Sequence, residues 1–329
     1  MAYDVLYLSQ EDVKSLGIGM KDVIEAVEHG LKLKGEGKVE LPPKPGIHPR
    51  KDCYIHAMPC WIGGEADLAG VKWVAGFPSN LEKNLPYNNG IFCLNDTGTG
   101  VVKAIMDANW MTTWRTGAAA AIGAKYFSAE PPRAVSVIGL GTIGKIVLRA
   151  LKTVFPGLSS VKLYDPLPSQ NEKYTDEMSA LFPDLRFENS KTMKEACADA
   201  DLVTTNAPIL EKPERPLMKS WLKPDCLCIS SDYDSTLHAD VAGSGKIFCC
   251  DDRGQYLWTQ GHGVYFQNGY PVDGGIYADL GDMAAAKKPP VTDGLRVCVF
   301  MGIASHDVMT AGLLYKKAVA AKAGQWLKL

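Results

Sequence analysis

Much of what this 329-residue sequence says comes first from what it lacks. It has no CxxC pair, and its six histidines form no cluster spaced with cysteine or carboxylate, so no metal centre is expected. It has no apolar run of about 18 residues or more, so no membrane span and no membrane partner are expected. The opening MAYDVLYLSQEDV shows no basic region leading into an apolar core, so no signal peptide is read and a cytoplasmic location is expected. A basic block is also missing: 35 Lys and Arg stand against 37 Asp and Glu, a formal net charge of −2, which argues against nucleic acid as a partner. No internal repeat and no low-complexity segment interrupts the chain.

What is present is an ordinary globular profile, 46% hydrophobic and 22% charged, long enough for two domains. The nine cysteines sit largely in apolar strings, among them Cys226 and Cys228 in DCLCIS, Cys249 and Cys250 in FCCDD, and Cys298 in VCVF. They read as small buried hydrophobes in a reducing compartment.

From Ala134 onward, strand and helix patterns alternate. VSVIG, VKLYD, DLVTTNAP, CLCISSD and KIFCCDD are short apolar strands, separated by helical segments such as TIGKIVLRALKTVF and SQNEKYTDEMSALF. That order predicts a parallel sheet with helices on both faces. The first part differs. MKDVIEAVEHGLKLKGEG is an amphipathic helix, and DCYIHAMP, LAGVKWVAGF and NGIFCLND are strands, the last joined to VVKAIM by the hairpin signal NDTGTG. MTTWRTGAAAAIGAKYF is a small-residue helix, and SAEPPR a linker. The terminal helix IASHDVMTAGLLYKKAVAAKAG is long enough to return to the N-terminal part. The expected fold class is α/β, a Rossmann-type doubly wound parallel sheet over 129–302, plus an α+β substrate-binding and dimerisation domain built from both chain ends, 1–128 and 303–329.

VIGLGTIG places Gly139, Gly141 and Gly144 in a GxGxxG pattern between a strand and a helix. Gly139 would permit the tight turn, Gly141 the approach of a pyrophosphate, and Gly144 close packing of helix on strand. The helix N-terminus adds N–H donors. The second strand ends at Asp165, where a ribose hydroxyl acceptor is expected and a 2′-phosphate is repelled, so NAD(H) is favoured. The competing reading is a Gly-rich turn with no cofactor.

Ligands in such sheets sit at the carboxyl ends of strands. Thr204, Thr205 and Asn206 end one strand, and Asp232 follows another, in ISSD. Asp232 reads either as a general acid or base beside the transferred hydride or as a turn cap. In the N-terminal part, Lys72 in GVKWVAGF and Arg115 in TTWRTGA are lone cations in apolar settings. Each alone reads as a snorkelling or salt-bridged side chain. Together they suggest an anion clamp, with Arg115 as the bidentate partner of a carboxylate.

The segments GVKWVAGFPSN, NLPYNNGIFCLND, TGTGVVKAIMDANWMTTWRTGAAAAIGAKYF, VIGLGTIG, ISSD, DDRGQ, ADLGD and VFMGIASHDVMTA, with PPK and AMP ahead of them, span nearly the whole chain. Together they resemble the ornithine cyclodeaminase/mu-crystallin family. The resemblance implies a homodimer formed through the N-terminal domain, and action at the Cα–N bond of a small L-amino acid or imine, with an amino acid, 2-oxo acid or imine as the small-molecule partner. It implies that Asp232 and Lys72 are catalytic, and that Lys44, His56, Lys72, Tyr87, Arg115, Met301 and Gly302 contact substrate. Cofactor contacts would come from Thr116, the loop Gly139, Gly141, Thr142, Ile143 and Gly144, from Asp165 and Pro166, from Thr205, Asn206 and Ala207, and from Ser230, Ser231 and Asp232. The chain departs from the family at Lys44, where Arg is common, at His56, near where cyclodeaminases carry Glu, and at Ile143, where Gln is usual. The expected activity is that of an NAD(H)-dependent amino-acid dehydrogenase or imine reductase. Ornithine cyclodeaminase is the first alternative, and a non-catalytic small-ligand binder like mu-crystallin the second.

Overall fold

The computed structural model describes residues 3–128 and 130–329, without the Leu81 side chain. Ala129, within the expected SAEPPR linker, lies outside the described residues, as do Met1 and Ala2. The chain divides into two compact units, residues 1–115 with 303–329, and residues 116–302.

The first unit begins with strand β1 (Asp4–Leu8), helices α1 (Gln10–Ser15) and α2 (Met20–Gly35), and the short strands β2 (Val39–Glu40) and β3 (Gly46–Ile47). Strands β4 (Tyr54–Ile62), β5 (Leu68–Gly76), β6 (Asn88–Asn95) and β7 (Val102–Asp107) then run as an antiparallel meander into helix α3 (Asn109–Phe127). The two-residue period of a strand gives this sheet two faces. On β5, Gly70, Lys72 and Val74 are buried on one face, while Trp73 is 49% exposed on the other. The NDTGTG hairpin closes on Asp96, whose carboxylate accepts from the backbone N–H and hydroxyl of Thr99.

The second unit holds β8 (Ala134–Ile138), α4 (Thr142–Val154), β9 (Ser160–Tyr164), α5 (Pro168–Leu181), β10 (Arg186–Asn189), α6 (Met193–Cys197), β11 (Leu202–Thr205), β12 (Leu227–Ser230), α7 (Ala239–Gly243), β13 (Ile247–Cys250), α8 (Arg253–Gly261), β14 (Ala278–Asp279), α9 (Leu280–Ala284) and β15 (Arg296–Val299). Its sheet order is β10-β9-β8-β11-β12-β15-β13-β14, and every pairing is parallel. β8, β9 and β10 run one way from the centre and β11 and β12 the other, so the order switches between β8 and β11, where such sheets hold ligands. β11, β12, β13 and β15 are buried at every position, which is why they read as unbroken apolar runs. All nine cysteines are free, and all but Cys93 are buried.

The chain then returns to the first unit. Helix α10 (Ala304–Ala321) packs on α2, β4 and β5, and strand β16 (Gln325–Lys328) pairs antiparallel with β1. The division between units falls inside α3, between Arg115 and Thr116, rather than after residue 128. The reason is local packing: a Cβ at Gly117 would lie 2.7 Å from the Ile146 carbonyl oxygen, and one at Gly123 would meet the Phe300 ring, so the second half of α3 belongs to the parallel sheet.

Arg296, 3% exposed, fastens the end of that helix. Its guanidinium donates to the carbonyls of Phe127 (2.8 Å), Gly294 (2.9 Å), Thr292 and Asp225. Arg296→Met fills similar space and leaves the buried Phe127 carbonyl without this donor. At about 1–3 kcal/mol for an orphaned buried group, urea unfolding should show a loss in that range; no measurable change would show that the carbonyl finds another partner.

Candidate active site

In the first unit, three charged side chains meet inside the sheet. Lys72 comes from the buried face of β5, Arg115 from α3 and Asp307 from the first turns of α10. Lys72 and Asp307 have no exposed surface, and Arg115 is 6% exposed. Lys72 Nζ lies 2.8 Å from Asp307 Oδ2, and Arg115 Nε donates to Asp307 Oδ1 at 2.9 Å. Burial acts to raise the Asp307 carboxyl, but Arg115 and Lys72 together outweigh it and hold the group below the usual carboxylate range. Lys72 moves the other way. Burial first, then Arg115, pushes it down to about 7 against the pull of Asp307. Its contact with Asp307 is short but poorly aligned, and no well-formed hydrogen bond reaches Nζ among the described residues. Arg115 engages Asp307 through Nε alone, which leaves the terminal fork of its guanidinium available for a carboxylate.

Of the other substrate candidates of this unit, His56 lies on β4, Lys44 in the segment before β3, and Tyr87 just ahead of β6. Lys44 is 8% exposed, and its charge acts on both His56 and Lys72. His56 pairs across the sheet with Val74, two positions from the Met58–Lys72 pair, so it shares the buried face with Lys72. Burial, followed by Lys44, His48 and Lys72, brings the His56 imidazole down to about 3, and it stays neutral. Burial also pushes Tyr87 up to about 12, and its hydroxyl has no partner among the described residues.

In the second unit the glycine loop follows β8. Gly139 takes φ +83°, the left-handed region, and a Cβ there would stand 2.8 Å from the Asn206 backbone. At Gly144 a Cβ would sit 2.2 Å from the Gly139 carbonyl oxygen, so only glycine lets α4 rise this close to the strand. Gly141 is different: nothing lies within 4 Å of where its Cβ would be, and it caps α4 with no side-chain hydrogen bond. Gly141 and Thr142 are exposed, Ile143 partly so. The open space and the uncapped N–H groups fit a pyrophosphate. Asp165 Oδ2 accepts from Leu140 N and Oδ1 from Leu167 N, each at 3.0 Å, so the carboxylate braces the loop and keeps a further lone pair on each oxygen. A hollow of about 320 Å³ opens beside it, lined by Asp165, Pro166, Pro168, Glu172, Ser190 and Lys191.

The strand ends depart from expectation. Asp232, expected to exchange a proton, has no exposed surface and both oxygens filled. Oδ1 accepts from Thr205 Oγ1 (2.8 Å) and Ser230 Oγ (2.7 Å), and Oδ2 from Ala207 N (2.8 Å) and Thr236 Oγ1 (2.7 Å). Burial raises its carboxyl, and those four hydrogen bonds oppose the rise. In this arrangement Asp232 ties β11 to β12, and the donors of Thr205, Ala207 and Ser230 are spent on it rather than offered to a cofactor. Thr204 likewise turns its hydroxyl to the Ser136 carbonyl, and Ser231 donates its N–H to Thr205 O. Asn206 alone keeps a buried side-chain oxygen with no partner among the described residues. Thr116 is half-buried at the start of this unit. Met301 is buried, and Gly302, at φ +75°, is pinned by its N–H to Asp251 Oδ2 (2.6 Å) and by Gln255 Nε2 to its carbonyl (3.3 Å). That clamp explains the DDRGQ segment, where Asp252 caps α8 by accepting from Gln255 N.

Sequence reasoning did not single out Asp307, on which the cationic pair depends, nor His306, whose ring nitrogens are buried without partners among the described residues. The signal was there: SHD is a polar triplet inside the apolar run IASHDVMTAGLL.

A parallel sheet with an open glycine loop and an acidic brace defines a dinucleotide-binding fold, carried beside a unit with a buried cation pair. The chain belongs to the ornithine cyclodeaminase/mu-crystallin family, whose sequence profile matches residues 4–322. It is 30% identical to the nodulation efficiency protein NfeD of Rhizobium meliloti over 319 residues, 96% of each chain. The solved structure of Thermococcus litoralis Δ1-pyrroline-2-carboxylate reductase with NADH and L-proline superposes with a TM-score of 0.86 at 26% identity, covering 98% of this chain and 99% of that one. An archaeal alanine dehydrogenase dimer with bound NAD gives 0.86 at 27% identity, covering 99% and 100%.

The three loop glycines separate by experiment. Gly144→Ala forces backbone apart and should lower the melting temperature. Gly141→Ala meets open space, so the melting temperature should hold while NADH affinity, read by fluorescence titration, falls about tenfold or more. Unchanged affinity in Gly141→Ala would remove the loop from the binding site.

Proposed function

We propose that the chain is an NAD(H)-dependent oxidoreductase that acts at the Cα–N bond of a small L-amino acid or the corresponding imine. The observation that carries this reading is the buried Lys72–Asp307–Arg115 group, which joins a carboxylate-binding fork to an amine that titrates near neutrality. NAD(H), when bound, supplies the hydride acceptor or donor. The glycine loop and Asp165 hold it, and the carboxylate of Asp165 favours it over a 2′-phosphorylated cofactor.

Arg115 binds the substrate carboxylate through its two terminal nitrogens and orients Cα. In the oxidative direction the substrate nitrogen must lose a proton as the C–N double bond forms, and Lys72 in its neutral form takes it. Water then adds to the imine carbon, ammonia departs, and a 2-oxo acid remains. In the reverse direction protonated Lys72 returns the proton to nitrogen. The role requires bound substrate to reach Nζ, which solvent does not touch in this structure. Asp232 acts at a distance, by holding the ends of β11 and β12.

The sign of the pH dependence follows. For amino-acid oxidation, kcat/KM should rise with pH through about 7 and level off as Lys72 becomes neutral. For imine reduction it should fall through the same pH. Lys72→Met should lose about 10²–10⁴-fold in rate, the usual worth of acid–base catalysis, and lose this limb of the profile. A Lys72→Met enzyme that keeps the limb would place the titrating group elsewhere.

The same reading includes a cytoplasmic homodimer. All nine cysteines are free, as in a reducing compartment. The outer face of the β4–β6 sheet carries Trp61, Trp73 and Ile91, each between 44% and 49% exposed, with Val71 and Cys93 paired between them. An apolar face of this kind marks an interface, and the archaeal alanine dehydrogenase relative is a dimer. Light scattering should give twice the 35.7 kDa of the chain, and a thiol reagent should label Cys93 slowly. Trp73→Glu should yield monomer with fast Cys93 labelling; a wild-type monomer would contradict the assignment.

A further inference from the structure

The loop that leaves the carboxyl end of β11 is tied down at both ends by two aspartates, Asp232 and Asp234, in the turn after β12. At the near end Ala207 donates its N–H to Asp232 Oδ2 at 2.8 Å. At the far end Arg215 donates Nε (3.0 Å) and Nη2 (2.6 Å) to Asp234 Oδ2. Between these ties the chain forms no helix or strand, and Pro208, Pro213 and Pro216 fix φ along it. Just beyond, Leu217 donates its N–H to Thr236 O and accepts from His238 N, so the chain that follows is anchored. A proline-stiffened segment pinned in this way moves by turning about its ends.

The far tie is held under strain. Arg215 takes φ +51°, Tyr233, the residue before Asp234, +59°, and Phe266, in the loop after α8, +59°. Residues other than glycine keep such angles only where their surroundings over-determine them. Here the surroundings converge on one carboxylate, because Phe266 donates its N–H to the same Asp234 Oδ2 at 2.9 Å. Asp234 has no exposed surface, and its Oδ1 has no partner among the described residues. Three donors thus crowd one oxygen. An arginine–carboxylate pair is strongest as two parallel bonds to two oxygens, so this is the weaker, single-oxygen form. The Arg215 side chain is 19% exposed, so water reaches the pair from that side alone. The contact is built to open by outward movement of Arg215 with its loop, while Phe266 keeps its hold on Asp234.

The place of this loop gives the latch its meaning. The sheet order switches between β8 and β11, with the open glycine loop on the β8 side. A dinucleotide laid across that switch puts its pyrophosphate at the glycine loop and its second half over the ends of β11 and β12. We propose that residues 207–216 form a strap over the nicotinamide half of the cofactor, and that Arg215, latched to Asp234, is the positioning residue that holds the strap down and sets how fast NAD(H) leaves. The strap rests on NAD(H) lying across these strand ends, whichever amino acid or imine is the substrate. It makes and breaks no covalent bond.

The test follows NADH release by stopped-flow fluorescence, on displacement by excess NAD+, from the wild-type protein, Asp234→Asn and Arg215→Lys. Asp234→Asn keeps an acceptor for the Phe266 N–H and removes the charge that draws Arg215. Its release should quicken about tenfold or more, roughly the worth of one charge-assisted hydrogen bond. Arg215→Lys keeps the charge without the paired Nε and Nη2, and its rate should fall between the other two. Hydrogen exchange read by mass spectrometry should show NADH slowing the backbone amides between 209 and 215 in the wild type, and slowing them less in Asp234→Asn. A pair with a structural role only would lower the melting temperature of the NADH-free variant and leave release unchanged, and that result would overturn the proposal. Should both variants fold poorly, exchange in the wild type decides. Protection of amides 209–215 by saturating NADH would support the strap. Equal exchange there with and without NADH, while the amides of Gly141 and Thr142 become protected, would refute the strap and leave the cofactor site standing. A wild type that binds no NADH at all would overturn the cofactor site, and the strap with it.

Discussion

Two cations buried in one sheet and helix need an anion, and Asp307 is the one this fold supplies. Without it, Lys72 and Arg115 would sit desolvated side by side, an arrangement whose cost is several kcal/mol per uncompensated charge. Asp307 comes from α10, which the chain reaches only after completing the whole parallel sheet. The return of the C-terminal segment to the first unit is therefore an electrostatic requirement as well as a packing one. Gly30 on α2 adds to it, since a Cβ there would meet the Met309 side chain of α10 at 2.5 Å, and that closeness keeps α10 seated against the sheet.

In the proposed reaction the same carboxylate also sets the chemistry. One anion shared by two cations does not satisfy either fully. Arg115 spends one nitrogen on it and keeps its fork, and Lys72 is left under enough pressure from burial to titrate near neutrality. In the proposed reading, stability and reactivity come from one imbalance, in a region where polar groups with perturbed titration gather. Asp232 is the contrasting case. It is as buried as Asp307, but donors from the ends of β11 and β12 and from the turns that follow them meet both of its oxygens, and the result is a strut.

The parts of this site that were legible in the sequence are those fixed by local spacing. Gly139, Gly141, Gly144 and Asp165 follow from one strand-turn-helix-strand unit, and the structure gives each a distinct physical reason. Lys72 and Arg115 stood out because a lone cation in an apolar string is conspicuous. Asp307 carries the same signal with the opposite sign, yet its partner Arg115 lies 192 residues away, and nothing in local pattern joins them. The orientation of Asp232 was illegible for a related reason: its donors come from three segments, and only tertiary packing turns their hydroxyls inward. Strands β1 and β16 escaped notice because they pair with each other from opposite ends of the chain, and β16 is exposed along its length, so it shows no buried alternation.

The proposed proton transfer depends most directly on the titration of Lys72. A heteronuclear NMR titration of its side-chain resonances, assigned with Lys72→Arg, should place the amine near 7, well below the ordinary lysine value of 10.5. Asp307→Asn should lower it further, by removing the one anion that favours the charged form. A Lys72 that titrates near 10.5 would contradict the claim that burial and Arg115 outweigh Asp307, and with it the assignment of the transferred proton to this residue.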